Sequence, residues 1–263
     1  MKIKTLLKSS LTLVFAASLM TACSSGDEAD VAEVEEVLEE AVPNTLTAQE
    51  VEDGWELLFD GESTDGWRSY NGEAFPEGGW VIEDGALRVI GTGMGEAGGE
   101  GGDIIYDEMF QNFHLKLEWK VSEGGNSGIF YLAQEMENTP IWQSAPEMQI
   151  LDNERHPDAM LGVDGNRMAG SLYDLIPAVP QNFRGAGEWN QAEVLVYRGT
   201  VVHFQNGAPV VEYHLGTPAW EEMIANSKFQ PYDFFGKNQP GYIGLQDHGD
   251  DVWFRNIKIQ IRE

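Results

Sequence analysis

The alternation of apolar and polar residues in short segments is the feature of this chain that most restricts its fold. Phe113–Val121 is the clearest case, because every second residue in it is apolar and the residues between them are charged or polar. A period of two is typical of a β-strand that buries one face and exposes the other. Further strands are predicted at 127–133, 147–151, 169–175, 192–198, 201–205 and 209–215.

The connections between these segments favour an all-β sandwich. Asn206 and Gly207 separate two of the predicted strands, and this dipeptide is a strong signal for a type I′ hairpin turn. Residues 218–226 form the one convincing short helix. Residues 53–263 have the length of a single domain. Many short strands joined by glycine-rich turns predict a sandwich or jelly roll.

The first 22 residues look like an export signal rather than a part of the fold. They begin with lysines, continue through an apolar run at 11–20 that is too short to be a membrane span, and end before Cys23. The segment Met-Thr-Ala-Cys at 20–23 resembles a lipobox, so Cys23 would be the lipidated first residue of the mature chain. An ordinary secretory signal with an incidental cysteine is the alternative. We therefore expect an extracytoplasmic protein that is lipid-anchored to a bacterial membrane, either periplasmic or on the cell surface.

The charge of the chain limits its partners. Residues 23–52 carry ten acidic and no basic side chains, which is the composition of a solvated tether between a lipid and a folded domain. The formal net charge of the whole chain is −28. Such a surface repels phosphate backbones, which argues against nucleic-acid binding. Cys23 is the only cysteine, so no disulfide can form within the chain and stability must come from the core.

The C-terminal stretch GYIGLQDHGDDVWFRNIKIQI places chemically useful side chains beside a strand. Ile243 and Leu245 anchor one face of that strand, so Gln246 and His248 are predicted to lie on the opposite side. A rigid strand that ends in a histidine suits acid–base or ligand chemistry. The neighbouring acidic residues of the turn are usually just solvated in such positions, and their spacing does not match a calcium-binding loop. We therefore expect no metal and no cofactor. A divalent cation bound by Asp247, Asp250 and Asp251 around His248 is the alternative.

Arg255 belongs to the last strand of the same stretch. It shares the parity of Ile257, so it is predicted to point toward the apolar side unless a bulge at Asn256 intervenes. A buried arginine requires a carboxylate partner. Arg255 is therefore expected either to pair with an acid and tie the two sheets together or to reach the site.

The motif EMQILDN is a second group of candidate site residues. Met148 and Ile150 are predicted to point into the core, so Glu147 and Gln149 point the other way. Asp152 lies at or beyond the strand end and would join them only through a bulge or turn. The spacing resembles the carboxylate triplet of some sandwich-fold glycosidases, with an amide in the middle position. A glutamate satisfied by a neighbouring arginine or by backbone is the equally weighted alternative.

Asn126 and Tyr173 are weaker candidates. Asn126 precedes the strand SGIFYLA, and its amide can bind a sugar hydroxyl. Tyr173 lies in GSLYDL, on the side opposite Leu172. Taken alone, the asparagine is also explained by a turn, and the tyrosine by packing.

Taken in order, the motifs resemble one family, the 3-keto-disaccharide hydrolase domain. The motifs are WELLFDGESTDGW, NSGIFY, PEMQILDN, GSLYDL, EWN, VHFQNG, SKF and GYIGLQDHGDDVWFRNIKI. The resemblance runs from Trp55 to Arg262, which is nearly the whole of the predicted domain. One position departs from the pattern, since Tyr242 stands where many members have histidine.

The resemblance implies a concanavalin-like jelly roll of two antiparallel sheets and cleavage of 3-keto-glycosides, by hydrolysis or by elimination. It also implies a small carbohydrate substrate supplied by an upstream sugar 3-dehydrogenase. A ketone at C3 acidifies the proton at C2, so the chemistry needs one base and donors for the enolate oxygen. His248 or Glu147 is the expected base. The residues expected to contact the substrate are Asn126, Gln149, Asp152, Tyr173, Gln246 and Arg255.

Three other functions are compatible with the sequence. A non-catalytic glycan-binding module would keep the aromatic and amide side chains without needing His248 or Glu147. A retaining glycosidase would act on unoxidised glycans through a pair of carboxylates. A structural lipoprotein would not bind sugar at all.

Overall fold

Two antiparallel β-sheets pack face to face in the structure, a computed structural model that describes residues 42–94 and 99–263. The strands are β1 (Trp55–Leu57), β2 (Trp67–Ser69), β3 (Trp80–Glu83), β4 (Ala86–Val89), β5 (Ile104–Phe110), β6 (Phe113–Val121), β7 (Asn126–Ala133), β8 (Glu147–Leu151), β9 (Asn190–Tyr197), β10 (Thr200–Gln205), β11 (Ala208–His214), β12 (Gly241–Leu245) and β13 (Val252–Ile261). The predicted signal at 1–22, Cys23 and the tether up to residue 41 lie outside the described residues.

The larger sheet has eight strands and the smaller sheet has five. The larger runs in the order β11-β10-β9-β6-β13-β4-β3, with β1 paired to β13, and the smaller runs β2-β5-β12-β7-β8. The last two strands therefore belong to different sheets, and the loop at 246–251 crosses from one sheet to the other. This architecture confirms the predicted all-β jelly-roll sandwich.

The core lies between the sheets and explains why the alternating pattern holds. Along β6 the apolar residues are buried and the charged residues between them are not. Phe113, Trp119 and Phe254 of the larger sheet and Tyr131 of the smaller sheet are among the largest fully buried side chains. Burial of each large apolar side chain stabilises the fold by about 1.5–3 kcal/mol, so the sandwich is stabilised without a disulfide.

Strands β7 and β8 differ from β6, because every one of their residues is buried. A second, smaller apolar cluster covers the outer face of the five-stranded sheet and includes Phe130 of β7 and Ile141. Ile141 begins a 3₁₀ turn, Ile141–Gln143, that packs on β7. The smaller sheet is therefore covered on both faces. Polar side chains on its outer face lie beneath the turn Ile141–Gln143 and the segments packed beside it.

Two local predictions have opposite outcomes. Asn206 and Gly207 both have positive φ angles, 49° and 80°, which confirms the type I′ turn between β10 and β11. The strand predicted at 169–175 is wrong, since this segment makes only isolated bridges through Leu172. Positive φ at Gly170 and Asp174 turns the backbone on either side of that residue.

The folded domain begins earlier than the predicted boundary at residue 53. Helix α1 (Ala48–Glu52) lies within the predicted tether, and Thr47 and Glu50 form a capping box at its start. The buried Asn44 side chain accepts a bond from Asn256 N (2.8 Å) and donates one to Gly85 O (2.7 Å). Glu50 pairs with Lys258 of β13. These contacts attach residues 42–52 to the sandwich, so this part of the tether prediction is corrected.

Helix α2 (Pro218–Ala225) confirms the helix predicted at 218–226. Thr217 caps its first turn, and Pro218 occupies the first helical position, where the missing N–H has no intrahelical partner. Across residues 42–94 and 99–263, no helix has the length and apolar character that crossing a bilayer requires.

Candidate active site

A cavity of about 180 Å³ opens on the outer face of the five-stranded sheet. Its floor comes from β7, β8 and the end of β12, and its rim comes from the turn Ile141–Gln143, the loop around Tyr173 and the segment after α2. The lining residues are Asn126, Trp142, Glu147, Gln149, Tyr173, Lys228, Phe229, Tyr232, Gln246 and His248.

Six of the eight side chains predicted from the sequence as catalytic or substrate-binding line this cavity. They meet because β7 lies between β12 and β8 in the sheet. Segments near residues 126, 147 and 246 therefore present their outward-facing side chains side by side. The catalytic and binding roles given to these side chains remain predictions.

Gly128 makes room for the carboxylate on the cavity floor. It pairs with Gln149 across β7 and β8, and a Cβ atom at this position would lie 2.1 Å from Glu147 Oε1. The Glu147 side chain therefore lies across the glycine, in space that any other residue would fill. Glu147 is 6% exposed, so the cavity presents a largely desolvated carboxyl group.

Two amides connect Glu147 to His248. The Gln149 amide lies 2.9 Å from Glu147 Oε1 and 3.3 Å from the Asn126 amide. The Asn126 amide in turn lies 3.2 Å from His248 Nε2. A carboxylate accepts hydrogen bonds only, so the nitrogen of the Gln149 amide is the atom that faces Glu147. The floor is therefore one continuous polar chain across three strands.

Lys228 and Tyr173 face each other on the rim. Lys228 Nζ lies 4.0 Å from the centre of the Tyr173 ring and 3.8 Å from Asp174 Oδ2. Burial lowers the pKa of Lys228, while the charges of Asp174 and Glu147 oppose this change. Burial and the charge of Glu147 raise the pKa of Tyr173 well above its ordinary value, so the phenol stays neutral. Its hydroxyl donates to Asp158 Oδ2 (2.9 Å), while its ring lies beneath Lys228 Nζ.

The remaining wall combines one amide with aromatic rings. Gln246 N donates to Gly128 O at 3.0 Å, which fixes the residue to β7. Gln246 Oε1 is buried and has no hydrogen-bond partner within the described part of the chain. Trp142 and Tyr232 pack edge to face with ring centres 5.2 Å apart. Flat rings beside an acceptor are suited to a sugar ring, which has apolar C–H faces and hydroxyl edges.

Asp152 does not reach the cavity, which corrects its assignment as a substrate contact. It is fully buried, and its carboxylate accepts bonds from Gly124 N (2.8 Å) and Glu154 N (3.0 Å). Arg155 lies 3.6 Å from the same group. Asp152 therefore connects the turn that precedes β7 to the turn that follows β8.

Arg255 lies on the other sheet, which corrects its assignment as well. A register shift and a positive φ of 53° at Asn256 mark a bulge in β13, so counting parity through this position gives the wrong face. Arg255 pairs with Glu118 at 2.8 Å and covers the ring of Trp189 at 3.9 Å. The expected carboxylate partner is present, but the pair lies on the outer face of the larger sheet.

Tyr242, the position that departs from the family pattern, also lies outside the cavity. Its ring packs against the smaller apolar cluster and under the Arg68 guanidinium, 5.2 Å from the ring centre. The departure therefore leaves the lining of the cavity unchanged.

The residues that could hold a metal ion lie at the His248 end of the cavity. Potential ligand atoms of His156, His248 and Asp250 all lie within 4.8 Å of one another. Burial lowers the pKa of His156, and the nearby imidazole of His248 acts in the same direction. Burial raises the pKa of Asp250, although the two histidines oppose this. The sequence predicts no metal at this place, and titration with metal ions tests that prediction.

Sequence reasoning missed a group of residues on and beside the rim. These are Trp142, His156, Lys228, Phe229 and Tyr232. Lys228 and Phe229 belong to the short motif SKF, which entered the sequence analysis only through the family resemblance. All five lie in turns and irregular segments, where no periodicity relates a residue to a sheet face.

Comparison with known proteins identifies the family. The sequence profile of the 3-keto-alpha-glucoside-1,2-lyase-like domain matches residues 54–260. The chain belongs to this family. A protein of Bacteroides thetaiotaomicron named 3-keto-disaccharide hydrolase is 46% identical over 282 aligned positions, which cover 95% of this chain and 97% of that protein. This family member is therefore a glycoside-cleaving enzyme of the hydrolase or lyase type.

Solved structures agree with the fold. A putative glycosyl hydrolase from Parabacteroides distasonis is 28% identical with a TM-score of 0.75, over 84% of this chain and 100% of that chain. A second putative glycosyl hydrolase from the same organism is 25% identical with a TM-score of 0.58, over 79% of this chain and 99% of that chain. The sandwich is thus similar to structures described as putative glycosyl hydrolases.

Proposed function

We propose that this protein cleaves 3-keto-glycosides by removing the proton at C2 and expelling the aglycone from C1. The family profile and the name of the similar Bacteroides protein both support a 3-keto sugar as substrate. The observation that carries the proposal is the cavity, in which the carboxylate of Glu147 and the ammonium of Lys228 lie close enough to influence each other. A base and a cation in one desolvated pocket suit enolate chemistry.

The reaction proceeds in two stages. The electron pair of the C2–H bond forms a C2–C3 double bond, and negative charge develops on the C3 oxygen. The C3 carbonyl then reforms, a C1–C2 double bond appears, and the C1–O bond breaks with its electron pair leaving on the aglycone oxygen, which takes up a proton. Addition of water across the C1–C2 double bond would give net hydrolysis.

The lining residues divide into matching roles. Glu147 is the base that we favour, and His248 is the alternative. Lys228 faces the developing charge on the C3 oxygen, because a partly desolvated cation stabilises an enolate more strongly than water does. The Gln246 oxygen accepts a hydrogen bond from a sugar hydroxyl, and the aromatic rings cover the apolar face of the sugar.

A retaining glycosidase is less compatible with this cavity. Its mechanism needs two carboxyl groups on opposite sides of the scissile bond. Among the described residues, Glu147 supplies the only carboxylate that lines the cavity, since Asp152 lies in a turn outside it. Abstraction of a proton needs a single carboxylate, and it is the reaction that this lining favours.

Cleavage of a 3-keto-disaccharide in deuterium oxide tests the proposal. We expect deuterium at C2 of the released 3-keto sugar if water adds after elimination, and loss of the C2 hydrogen in the product if it does not. Release of the aglycone with the original C2 hydrogen retained would contradict proton abstraction. Hydrolysis of an unoxidised nitrophenyl glucoside would instead favour a glycosidase, and calorimetric binding without turnover would favour a binding module.

Gly128→Ala is expected to reduce kcat/KM for a 3-keto-glucoside about 100-fold without unfolding the domain. The added Cβ would displace the Glu147 carboxylate from the floor, and misplacement of a reacting group by about 1 Å can cost about 100-fold in rate. Steady-state kinetics and circular dichroism measure the two effects. Gly102→Ala is a control at a glycine where a Cβ meets nothing within 4 Å, although its positive φ makes a small loss of stability expected there. An unchanged kcat/KM for Gly128→Ala would show that the position of Glu147 is unimportant.

We also propose, from the sequence, that Cys23 carries a lipid anchor outside the cytoplasm and that a sugar 3-dehydrogenase supplies the substrate. Cys23→Ser should move the protein from the membrane fraction to the soluble fraction and abolish labelling by a radioactive fatty acid. Persistent labelling in the variant would exclude Cys23 as the attachment point. We expect this protein to cleave an unoxidised disaccharide only when such a dehydrogenase and its oxidant are added. That result would support the dehydrogenase as the source of the substrate.

A further inference from the structure

We propose that His156, His248 and Asp250 bind a divalent transition-metal ion at the edge of the cavity, and that the ion holds the keto group of the substrate. Two imidazoles and a carboxylate form a donor set that suits Zn²⁺, Mn²⁺ and similar ions. Three protein ligands leave coordination positions for substrate oxygens. The role of the ion rests on the proposed function, whereas the binding site itself does not.

The three ligands come from two loops that the fold brings together. His156 precedes the 3₁₀ turn Pro157–Met160, and His248 and Asp250 lie in the loop that crosses between the sheets. Their potential ligand atoms lie within 4.8 Å of one another, and the two imidazole rings are 6.1 Å apart at an angle of 80°. Modest side-chain rotation is enough to bring such atoms to coordination distance, because none of these residues is fully buried.

Asn126 supports two of the three ligands. Its backbone N–H donates to Asp250 Oδ2 at 3.1 Å, and its side-chain amide lies 3.2 Å from His248 Nε2. Residues that orient metal ligands in this way are typical of functional metal sites. His156 Nδ1 accepts a long bond from Asp158 N at 3.2 Å. An ion bound at Nε2 would require the ring proton on Nδ1, so this one long bond would be lost when the ion binds.

The chemistry of a 3-keto sugar matches a site at this place. The carbonyl oxygen at C3 and the hydroxyl oxygen at C2 are on adjacent carbons, so they can bind one ion together in a five-membered chelate ring. The ion polarises the carbonyl and, together with the Lys228 ammonium, stabilises the negative charge that forms on its oxygen, without any change in its own oxidation state. An unoxidised glycoside lacks the carbonyl, so it gains less from the ion. His248 is then a ligand, and Glu147 remains as the base.

Titration of the full-length, chelator-treated protein with MnCl₂ and with ZnCl₂ tests the site without any sugar. We expect one ion per chain by calorimetry, together with a higher melting temperature in the presence of the ion. His156→Ala and Asp250→Asn should each weaken binding by about 100-fold or more. His214→Ala is the matched control, because this histidine is exposed at the end of β11 and its imidazole contacts Thr200 and Glu212.

The outcomes separate the metal site from the proposed function. Binding of one ion that is lost in both ligand variants but kept in the control supports the site. Failure of the wild-type protein to bind either ion, or equal binding by both variants, overturns it even if 3-keto-glycosides are cleaved at full rate. Binding of the ion by a protein that does not cleave 3-keto-glycosides supports the site and overturns the role given to the ion.

Discussion

Glu147→Gln is expected to reduce kcat/KM for a 3-keto-glucoside by about 1,000-fold or more. The substitution keeps the size and shape of the side chain but removes the proposed base, and a positioned base contributes about 10²–10⁴-fold to proton transfer. The loss should appear mainly in kcat, because the amides and rings that bind the sugar remain in place. Deuterium exchange at C2 of the substrate should fall by the same factor. Steady-state kinetics and mass spectrometry of the sugar measure both quantities.

Two further variants make this result specific to Glu147. Glu137→Gln changes an exposed glutamate outside the cavity and should leave the rate unaltered. His248→Ala distinguishes the two candidate bases. If His248 is a metal ligand, its loss should reduce activity and metal binding together. If it is the base, activity should fall while metal binding persists. An activity of Glu147→Gln within threefold of the wild type would remove Glu147 from the mechanism.

Asp103→Asn is expected to stabilise the protein at pH 8 but not at pH 4. The residue partly reaches solvent, but its carboxyl group is enclosed, and this burial raises the pKa of Asp103 to about 7. The carboxylate of Asp247 beside it adds to the increase. Asp247 itself accepts bonds from Gly101 N, Gly102 N and Gly249 N at 2.9–3.0 Å, so Asp103 is the member of the pair that takes up the proton.

The direction of the pH effect follows from this raised pKa. The folded state holds the Asp103 proton more tightly than the unfolded chain does, whose value is near 3.8. The contribution of Asp103 to stability is therefore fully present below about pH 4, declines as the pH rises toward 7, and does not decline further above it. The full shift corresponds to about 4 kcal/mol as an upper limit. Because the residue partly reaches solvent, we expect about 1–3 kcal/mol.

Asparagine removes the ionisation and keeps the oxygen that accepts a bond from Asp247 N at 3.1 Å. Thermal unfolding of both proteins should give a higher melting temperature for the variant at pH 8, by about 2–4 °C for each kcal/mol. At pH 4 the two temperatures should nearly coincide. Since the other acidic groups are common to both proteins, only the difference between them reports on Asp103. The same difference at both pH values would refute the raised pKa.

The regular strands were the part of the fold that the sequence predicted best. Phe113–Val121 and Glu147–Leu151 have the predicted bounds. A strand that packs one face on the core needs apolar residues at every second position, and this pattern is visible in the sequence. Outward-facing parity along β8 also brought Glu147 and Gln149 correctly to one face. The segment at 169–175 shows the limit of this reasoning, since positive φ at two positions breaks the strand without disturbing the apolar pattern.

The rest of the site depends on contacts that periodicity does not encode. Arg255 points away from the core because the bulge at Asn256, which the sequence leaves open, changes the parity of β13. Trp142 belongs to the turn Ile141–Gln143, and Lys228 belongs to the segment after α2. These segments lie near Glu147 only because they pack on the outer face of the smaller sheet. His156 is separated by more than 90 positions from its neighbours His248 and Asp250, so no local spacing could indicate a shared ligand site.

The attachment of residues 42–52 has a consequence for how the enzyme meets its substrate. These residues dock on the back of the larger sheet through Asn44 and Glu50, whereas the cavity opens through the opposite layer. Residues 42–52 and the mouth of the cavity therefore lie on opposite faces of the sandwich. Long or branched glycans can then approach the cavity without being obstructed by this N-terminal part of the domain.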